Sequence, residues 1–156
     1  MRPDPLLLEN QLCFPLYACS REIIRLYTPF LEELGLTYTQ YIAMLALWEH
    51  HSMSVKELGE ALYLDSGTLT PLLKKLEAQG LLTRERSAKD ERVVIATLTS
   101  SGEALKEKAK AVPLAIAGCI PLDATESKTL YGLLNKILNS DTCERGTKRS
   151  MDDGEE

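Results

Sequence analysis

Four cysteines, Cys13, Cys19, Cys119 and Cys143, carry the most reactive side chains of this sequence. No two stand at Cys-x-x-Cys spacing, and their pattern fits neither a zinc site nor a small disulfide-rich scaffold. A free thiol is therefore the expected state of each, with a redox-active thiol as the alternative. Cys13 lies near the start of a predicted long helix, whose dipole favours the thiolate form of a cysteine. A buried, inert cysteine is the other interpretation of the same residue.

A second region, between Ser54 and Thr99, consists of four elements at short spacing. They are a short helix opened by a capping box at 54–57, a helix over about 66–79, and strands over 81–86 and 92–99 that flank a charged tip. Helix, turn, helix and hairpin in this order predict a mainly α fold with a small β-hairpin wing, the winged helix-turn-helix.

The second helix of such a pair enters the major groove of DNA. Short hydroxyl side chains at its start suit base edges or phosphates, and lysines further along suit phosphates. The candidate DNA-binding residues on this helix are Ser66, Thr68, Thr70, Lys74 and Lys75.

The wing adds basic side chains on a narrow hairpin, which suits the negative potential of the minor groove. Asp90 is two residues before Arg92, so its carboxylate is expected to orient that guanidinium. The candidate DNA-binding residues of the wing are Arg84, Arg86, Lys89, Asp90 and Arg92.

The net charge of −5 argues at first against a nucleic-acid partner, but the charges are unevenly distributed. Residues 66–95 contain six basic and four acidic side chains, a balance of +2. Residues 139–156 contain three basic and six acidic side chains, a balance of −3. Because DNA binding requires a local positive face rather than a positive total, the sequence predicts double-stranded DNA as the partner of the winged region.

The remaining segments flank the winged region, and the length suits one integrated domain. The predicted parts are an N-terminal arm and first helix over 1–35, the winged helix-turn-helix over 36–99, C-terminal helices over 100–139 and a disordered acidic tail over 140–156. No run of about 18 apolar residues is present, and no secretion signal is recognisable. We therefore expect a cytoplasmic protein with reduced thiols and no membrane partner.

Two runs of residues resemble a known family. The run LDSGTLTPLLKKLEAQGLLTRERSAKDER closely resembles the recognition helix and wing of MarR-family transcriptional regulators. The run LENQLCFPLYACSREIIRLYTPFLEELGLTYTQY resembles the organic-hydroperoxide-sensing, OhrR-type branch of that family. The resemblance covers nearly the whole chain from Leu8 to Leu138, and the second run distinguishes this branch from drug-sensing relatives.

The resemblance implies a repressor that binds an inverted-repeat operator as a homodimer, with its first and C-terminal helices forming the dimer. It also implies that an organic hydroperoxide oxidises Cys13 and thereby releases the DNA. Tyrosines that match Tyr27 and Tyr38 hydrogen-bond the thiolate in that branch, and Tyr17, four residues after Cys13, is a candidate for the same pocket. Tyr27 lies about 21 Å from Cys13 along a continuous helix. An antiparallel partner helix could bring it to the thiol, so the tyrosine ligands that the resemblance implies predict a pocket at the dimer interface.

Some members of the branch go on to form a disulfide with a cysteine late in the chain, and others use a small external thiol. Cys119 is the candidate resolving cysteine because it lies where a predicted helix ends before Pro121. Cys143 and an external thiol remain alternatives. Cys19 lies about 9 Å from Cys13 along the helix, beyond the reach of a disulfide. The expected route passes through a sulfenic acid to a reversible disulfide.

Three other functions remain as alternatives. A regulator of the same family that senses a small aromatic ligand would use the same interface pocket. A thiol peroxidase is the second alternative. No second active-site motif in the sequence supports it, so we expect no enzymatic activity. A zinc-binding protein is the third, but His50 and His51 are more simply explained as a polar helix end beside Glu49. We expect neither a metal nor another cofactor.

Overall fold

The structure, a computed structural model, describes residues 4–140 of the 156-residue chain. It divides after Cys119 into two compact units. The helices of the first unit are a 3-10 turn at Leu8–Asn10, α1 at Cys13–Glu32, α2 at Tyr38–His50, α3 at Val55–Leu62, α4 at Ser66–Ala78, α5 at Ser100–Ala109 and α6 at Ala111–Cys119. Its strands are β1 at Ser52–Ser54, β2 at Leu82–Arg86 and β3 at Val94–Leu98. The second unit contributes α7 at Ala124–Leu138. The prediction of a mainly α fold with a small β wing is confirmed.

Side-chain caps fix where the helices of the winged region begin. The predicted capping box at Ser54 is present: its hydroxyl accepts from the Glu57 N–H at 3.2 Å, and the Glu57 carboxylate accepts from the Ser54 N–H at 2.9 Å. Thr37 caps α2 in the same way with Gln40. Asp65 caps α4 by accepting from the Thr68 N–H at 2.9 Å. Each cap accepts hydrogen bonds from backbone N–H groups that have no partner within the helix. Such a cap typically stabilises the folded protein by about 1 kcal/mol.

The wing is part of a three-stranded antiparallel sheet rather than a hairpin alone. β3 lies between β1 and β2, with Ser52 opposite Thr97 and Leu82 opposite Leu98. β1 is only three residues long and directly precedes α3, so its alternation was too short to predict a strand. The expected strand over 92–99 is wrong at its start. Arg92 belongs to the turn, because its N–H donates to the Asp90 carboxylate at 3.0 Å.

The core of the first unit forms where α2, α3 and α4 meet the sheet. One face of α4 is buried there, and so is Trp48 on α2. Each large apolar side chain removed from water in this way contributes about 1.5–3 kcal/mol. The α4 residues of this face are Leu69, Leu72, Leu73 and Leu76.

The helical segment after Ser100 is interrupted near Pro113. α5 ends at Ala109 and α6 begins at Ala111, since a proline cannot donate the helical hydrogen bond and its ring crowds the preceding turn. In the second unit, Asp123 and Glu126 form the capping box of α7. Among residues 4–140, no helix is both long and apolar enough to cross a membrane. Cys143 and, beyond Ser140, the predicted acidic tail lie outside the described residues.

Candidate thiol site and nucleic-acid interface

Cys13 is the first residue of α1, and its thiol is exposed in the single chain. The first N–H groups of a helix lack internal partners and carry the positive end of its dipole. The helix continues without interruption to Glu32, so the predicted separation of Cys13 from Tyr27, about 21 Å along the axis, applies within one chain.

Three tyrosine rings pack together where α1 meets α2. The ring centroids of Tyr27 and Tyr38 are 5.0 Å apart in an edge-to-face arrangement, and those of Tyr27 and Tyr41 are 5.8 Å apart. Burial raises the pKa of Tyr27 and Tyr38 above the usual tyrosine value, and in Tyr27 the neighbouring Tyr38 adds to it. Both hydroxyls thus stay protonated well above neutral pH and keep a proton to donate.

Sequence reasoning found Tyr27 and Tyr38 but missed Tyr41. Its side chain is 2% exposed, and burial followed by the charges of Tyr27 and Tyr38 raises its pKa. A signal was available, since Tyr41 is three residues after Tyr38 and so lies on the same face of α2.

The other candidate side chains of the thiol site lie on α1 and α6. The Tyr17 hydroxyl accepts from the Arg21 guanidinium at 2.9 Å, and that guanidinium also lies 5.5 Å from the ring centroid. Cys119 is the exposed last residue of α6 and donates from Sγ to the Ala115 carbonyl at 3.3 Å. α6 packs on α1, the helix that carries Cys13. Cys19 is also exposed.

The start of α4 presents the predicted DNA-reading residues on one exposed surface. Ser66 and Thr68 are exposed, Thr70 is half-buried, and Lys74 and Lys75 are exposed further along the helix. The Thr68 hydroxyl donates to the Asp65 carboxylate at 3.0 Å, which fixes its orientation.

A cavity of about 180 Å³ lies beside this surface, between the start of α2 and α4. Its hydroxyls and one ammonium group suit an anion such as a phosphate oxygen. It is lined by Thr37, Thr39, Gln40, Thr68, Pro71, Leu72 and Lys75.

At the wing tip, the predicted contact between Asp90 and Arg92 is present. The Asp90 carboxylate accepts from Arg92 Nε at 3.2 Å, while the Arg92 side chain remains 90% exposed. Arg86 donates to the Glu91 carbonyl at 2.7 Å and so closes the base of the tip. Lys89 is exposed at the tip.

Arg84 differs from the other wing residues because its guanidinium is held within the chain. Its Nε and Nη2 donate to the Glu77 carboxylate at 3.0 and 2.7 Å, and its backbone N–H donates to the same carboxylate at 3.0 Å. These hydrogen bonds, the side-chain ones first, lower the pKa of Glu77. The pair ties β2 to the end of α4, and a direct DNA contact by Arg84 stays a prediction.

The two histidines at the end of α2 pair with carboxylates. His51 Nδ1 lies 2.7 Å from a Glu103 oxygen, and His50 Nε2 lies 3.9 Å from Glu49. Over residues 4–140, no group of three histidine, cysteine or acidic side chains is arranged to hold a metal ion.

Comparison with known proteins connects this geometry to regulators of transcription. Residues 25–109 match the family model described as transcriptional regulator SarA/Rot. The chain is 52% identical over 137 residues to the organic hydroperoxide resistance transcriptional regulator of Bacillus subtilis, which covers 88% of this chain and 93% of that protein.

Two solved structures of AbfR from Staphylococcus epidermidis are also similar. Reduced AbfR bound to DNA is 42% identical, with a TM-score of 0.70, over 84% of this chain and 91% of that one. Disulfide-formed AbfR is 42% identical, with a TM-score of 0.59, over 84% of this chain and 89% of that one. The similarity therefore extends to a regulator solved on DNA.

Proposed function

The chain belongs to the MarR family of winged helix-turn-helix transcriptional regulators, in its organic-hydroperoxide-sensing branch, and from that premise we propose that it is a cytoplasmic homodimeric repressor released from operator DNA when an organic hydroperoxide oxidises Cys13. It is a regulator rather than an enzyme. The observation that carries the proposal is an exposed Cys13 at the positive end of α1, in a chain 52% identical to an organic hydroperoxide resistance regulator.

A second copy of the chain is proposed to complete the sensor. Tyr27 is too far along α1 to reach its own Cys13, so a thiolate hydrogen-bonded by Tyr27 and Tyr38 requires a partner's helix. Several large apolar side chains near Cys13 and on α6 are exposed in the single chain, as expected of a surface that another molecule covers. They are Leu12, Phe14, Tyr17 and Leu114, each 43–79% exposed.

The proposed reaction starts with attack of the Cys13 thiolate on the terminal oxygen of the hydroperoxide. The S–O bond forms as the O–O bond breaks, giving a sulfenic acid and an alkoxide that takes up a proton to leave as the alcohol. A second thiol then attacks the sulfenic sulfur, which forms a disulfide and releases water. We propose Cys119 as that thiol, with Cys143 and a small external thiol as the alternatives.

The output of the proposed switch is the distance between two recognition helices. Two-fold operators present half-sites about one helical turn apart, so a modest change at the dimer interface can abolish binding. Disulfide-formed AbfR is less similar to this chain, with a TM-score of 0.59, than reduced AbfR on DNA, with a TM-score of 0.70.

On the DNA, we propose that the hydroxyls of Ser66, Thr68 and Thr70 read base edges and that Lys74 and Lys75 bind phosphates. Lys89 and Arg92 enter the minor groove, with Asp90 orienting Arg92. Arg84 holds the wing against α4 through Glu77, and Arg86 closes the base of the wing tip through the Glu91 carbonyl. Because the phosphate contacts release counterions, affinity for the operator falls as salt is raised.

The test uses a labelled duplex that the reduced full chain selects from a randomised pool. Cumene hydroperoxide is expected to release the wild-type protein, while Cys13→Ser stays bound. Cys19→Ser is the matched control, since it removes another exposed thiol of the same helix and should leave release unchanged. Release of Cys13→Ser at the wild-type peroxide concentration would overturn the sensor assignment.

Peptide masses from the oxidised protein separate the resolving routes. A Cys13–Cys119 crosslink is the expected product. A Cys13–Cys143 crosslink, or a Cys13 adduct when a small thiol is added, would replace Cys119 in the proposal without changing the sensor.

A further inference from the structure

Building on the function proposed above, we propose that Tyr41 and Trp48 are positioning residues that couple the sensor tyrosines to the junction between α4 and β2. Together with Tyr27 they form what we call the aromatic relay, a row of three rings running from α1 along α2. We use the term junction for Gly80 and Leu81, two of the three residues that join the recognition helix α4 to β2 of the wing. Of these three residues of the relay, Tyr27 belongs to the proposed sensor, whereas Tyr41 and Trp48 take no part in the proposed reaction or in DNA contact.

The relay begins at the ring of Tyr27. This ring contacts Tyr38 at 5.0 Å and Tyr41 at 5.8 Å between centroids, so it lies between the second sensor tyrosine and the interior. If a hydrogen bond from Tyr27 to the partner's thiolate is lost on oxidation, the ring loses the contact that holds its outer end. Tyr41 is the buried neighbour whose contact with the Tyr27 ring then changes.

The middle of the relay follows one face of α2. Tyr41 and Trp48 are seven residues apart, two helical turns, and their ring centroids are 6.4 Å apart. They are 2% and 7% exposed. Protein interiors are packed at the density of organic crystals, so a ring displaced here moves its neighbour rather than filling an empty space.

The relay ends in a hydrogen bond to α5. Trp48 Nε1 donates to the Gly102 carbonyl at 2.8 Å, and Lys106 Nζ donates to the Trp48 carbonyl at 2.9 Å. Both bonds join α2 to the same helix. Movement of Trp48 is therefore passed to the first turn of α5.

That turn of α5 lies directly on the junction. A Cβ at Gly102 would collide with the Leu81 carbonyl oxygen, so the two backbones are in contact. Thr99, the cap of α5, donates from its N–H to the Leu81 carbonyl at 3.1 Å and from its hydroxyl to the Gly80 carbonyl at 2.6 Å. Two contacts thus separate Trp48 from the junction.

Ordinary core packing and coupling predict different behaviour. If Tyr41 and Trp48 act by packing alone, each contributes as much to the stability of the reduced protein as to that of the oxidised protein. Coupling requires that changing them alters the ratio of DNA affinities between the two states, and such ratios typically amount to 5–150-fold. A contiguous row of contacts is a coupling pathway only if substitutions in it change this ratio of affinities.

The first test uses Trp48 as its own reporter, because it is the one tryptophan of the 156-residue sequence. Cumene hydroperoxide is expected to change the tryptophan emission of the wild type and of Cys19→Ser, but not that of Cys13→Ser. In Tyr41→Leu the thiol should oxidise at the wild-type rate while the emission stays constant. Tyr41→Phe, which keeps the ring, should behave like the wild type.

The second test measures DNA affinity in both redox states on the selected duplex. Trp48→Phe keeps an aromatic ring but removes the N–H donated to Gly102. Its reduced form should bind within about threefold of the wild type, while its loss of affinity on oxidation should shrink about tenfold. Cys13 oxidation, followed by mass, should be unchanged, and a cooperative thermal transition would show that each variant is folded.

The outcomes separate this inference from the function beneath it. If the wild type is released by peroxide and oxidised Trp48→Phe and Tyr41→Leu lose affinity by the wild-type factor, the relay is wrong and the sensor stands. If the wild type is not released at all, the redox proposal fails and the relay fails with it.

Discussion

At the DNA-reading end, Asp65 caps α4 and Glu77 holds Arg84, so contacts within one chain position the recognition helix and wing. At the thiol end, Cys13 and Tyr17 are exposed, and Tyr27 lies about 21 Å along α1 from the thiol. The first region is built by one chain, whereas the second, under the proposed function, is completed by another copy. In the proposed regulator this difference leaves the reading surface intact while the interface that sets the spacing of the two recognition helices responds to oxidation.

The largest effect on the DNA-reading region is expected from a substitution that separates α5 from the junction. Gly102→Ala places a methyl against the Leu81 carbonyl, and overpacking of this kind costs about 3 kcal/mol. Urea denaturation should show the loss, and DNA affinity should fall with it. Gly118→Ala is the control at the exposed end of α6, where a Cβ meets nothing within 4 Å. Equal stability of the two variants would contradict the close contact.

A change at the thiol end should act on rate rather than on stability. Tyr27→Phe removes one hydrogen bond to a thiolate, and a bond to a charged group accounts for about a tenfold slower oxidation of Cys13. Loss of the thiol, followed by mass after cumene hydroperoxide is added, measures it. Reduced-state DNA binding should be unchanged, and exposed Tyr63→Phe should oxidise like the wild type. A normal oxidation rate in Tyr27→Phe would remove it from the sensor.

The smallest effect is a pH dependence at the base of the wing. Arg84 lowers the pKa of Glu77 in the folded protein, so the ionised pair stabilises the fold above the ordinary glutamate pKa. That contribution is lost as the pH falls through the lowered value. Glu77→Gln should therefore lower Tm slightly at pH 7, and the difference should close below about pH 4. Glu85→Gln, on the strand that carries Arg84, is the control. A difference independent of pH would rule out the charged pair.

Local signals made the winged region predictable. The capping box at Ser54 lies within four residues, and the apolar face of α4 repeats at helical spacing, so both could be identified without knowing what surrounds them. The order of elements then indicated the fold, and the resemblance indicated the branch.

What the sequence could not supply are contacts between distant segments. Gly102 packs on Leu81 across 21 positions, and Trp48 bonds to Gly102 across 54. The charge of Arg84 suggested DNA, but its partner Glu77 lies in another element, so the ion pair emerges only in the fold. Tyr41 contacts Tyr27 because α1 and α2 pack there.

The central claim, that one copy's Cys13 uses the other copy's Tyr27, can be tested in a mixed dimer. A Tyr27→Phe chain and a Cys13→Ser chain, carrying different tags, are co-purified as the heterodimer and treated with cumene hydroperoxide. A pocket shared between copies combines the intact Cys13 of one chain with the intact Tyr27 of the other, so that thiol should oxidise at the wild-type rate. Oxidation as slow as in the Tyr27→Phe homodimer would contradict the shared pocket.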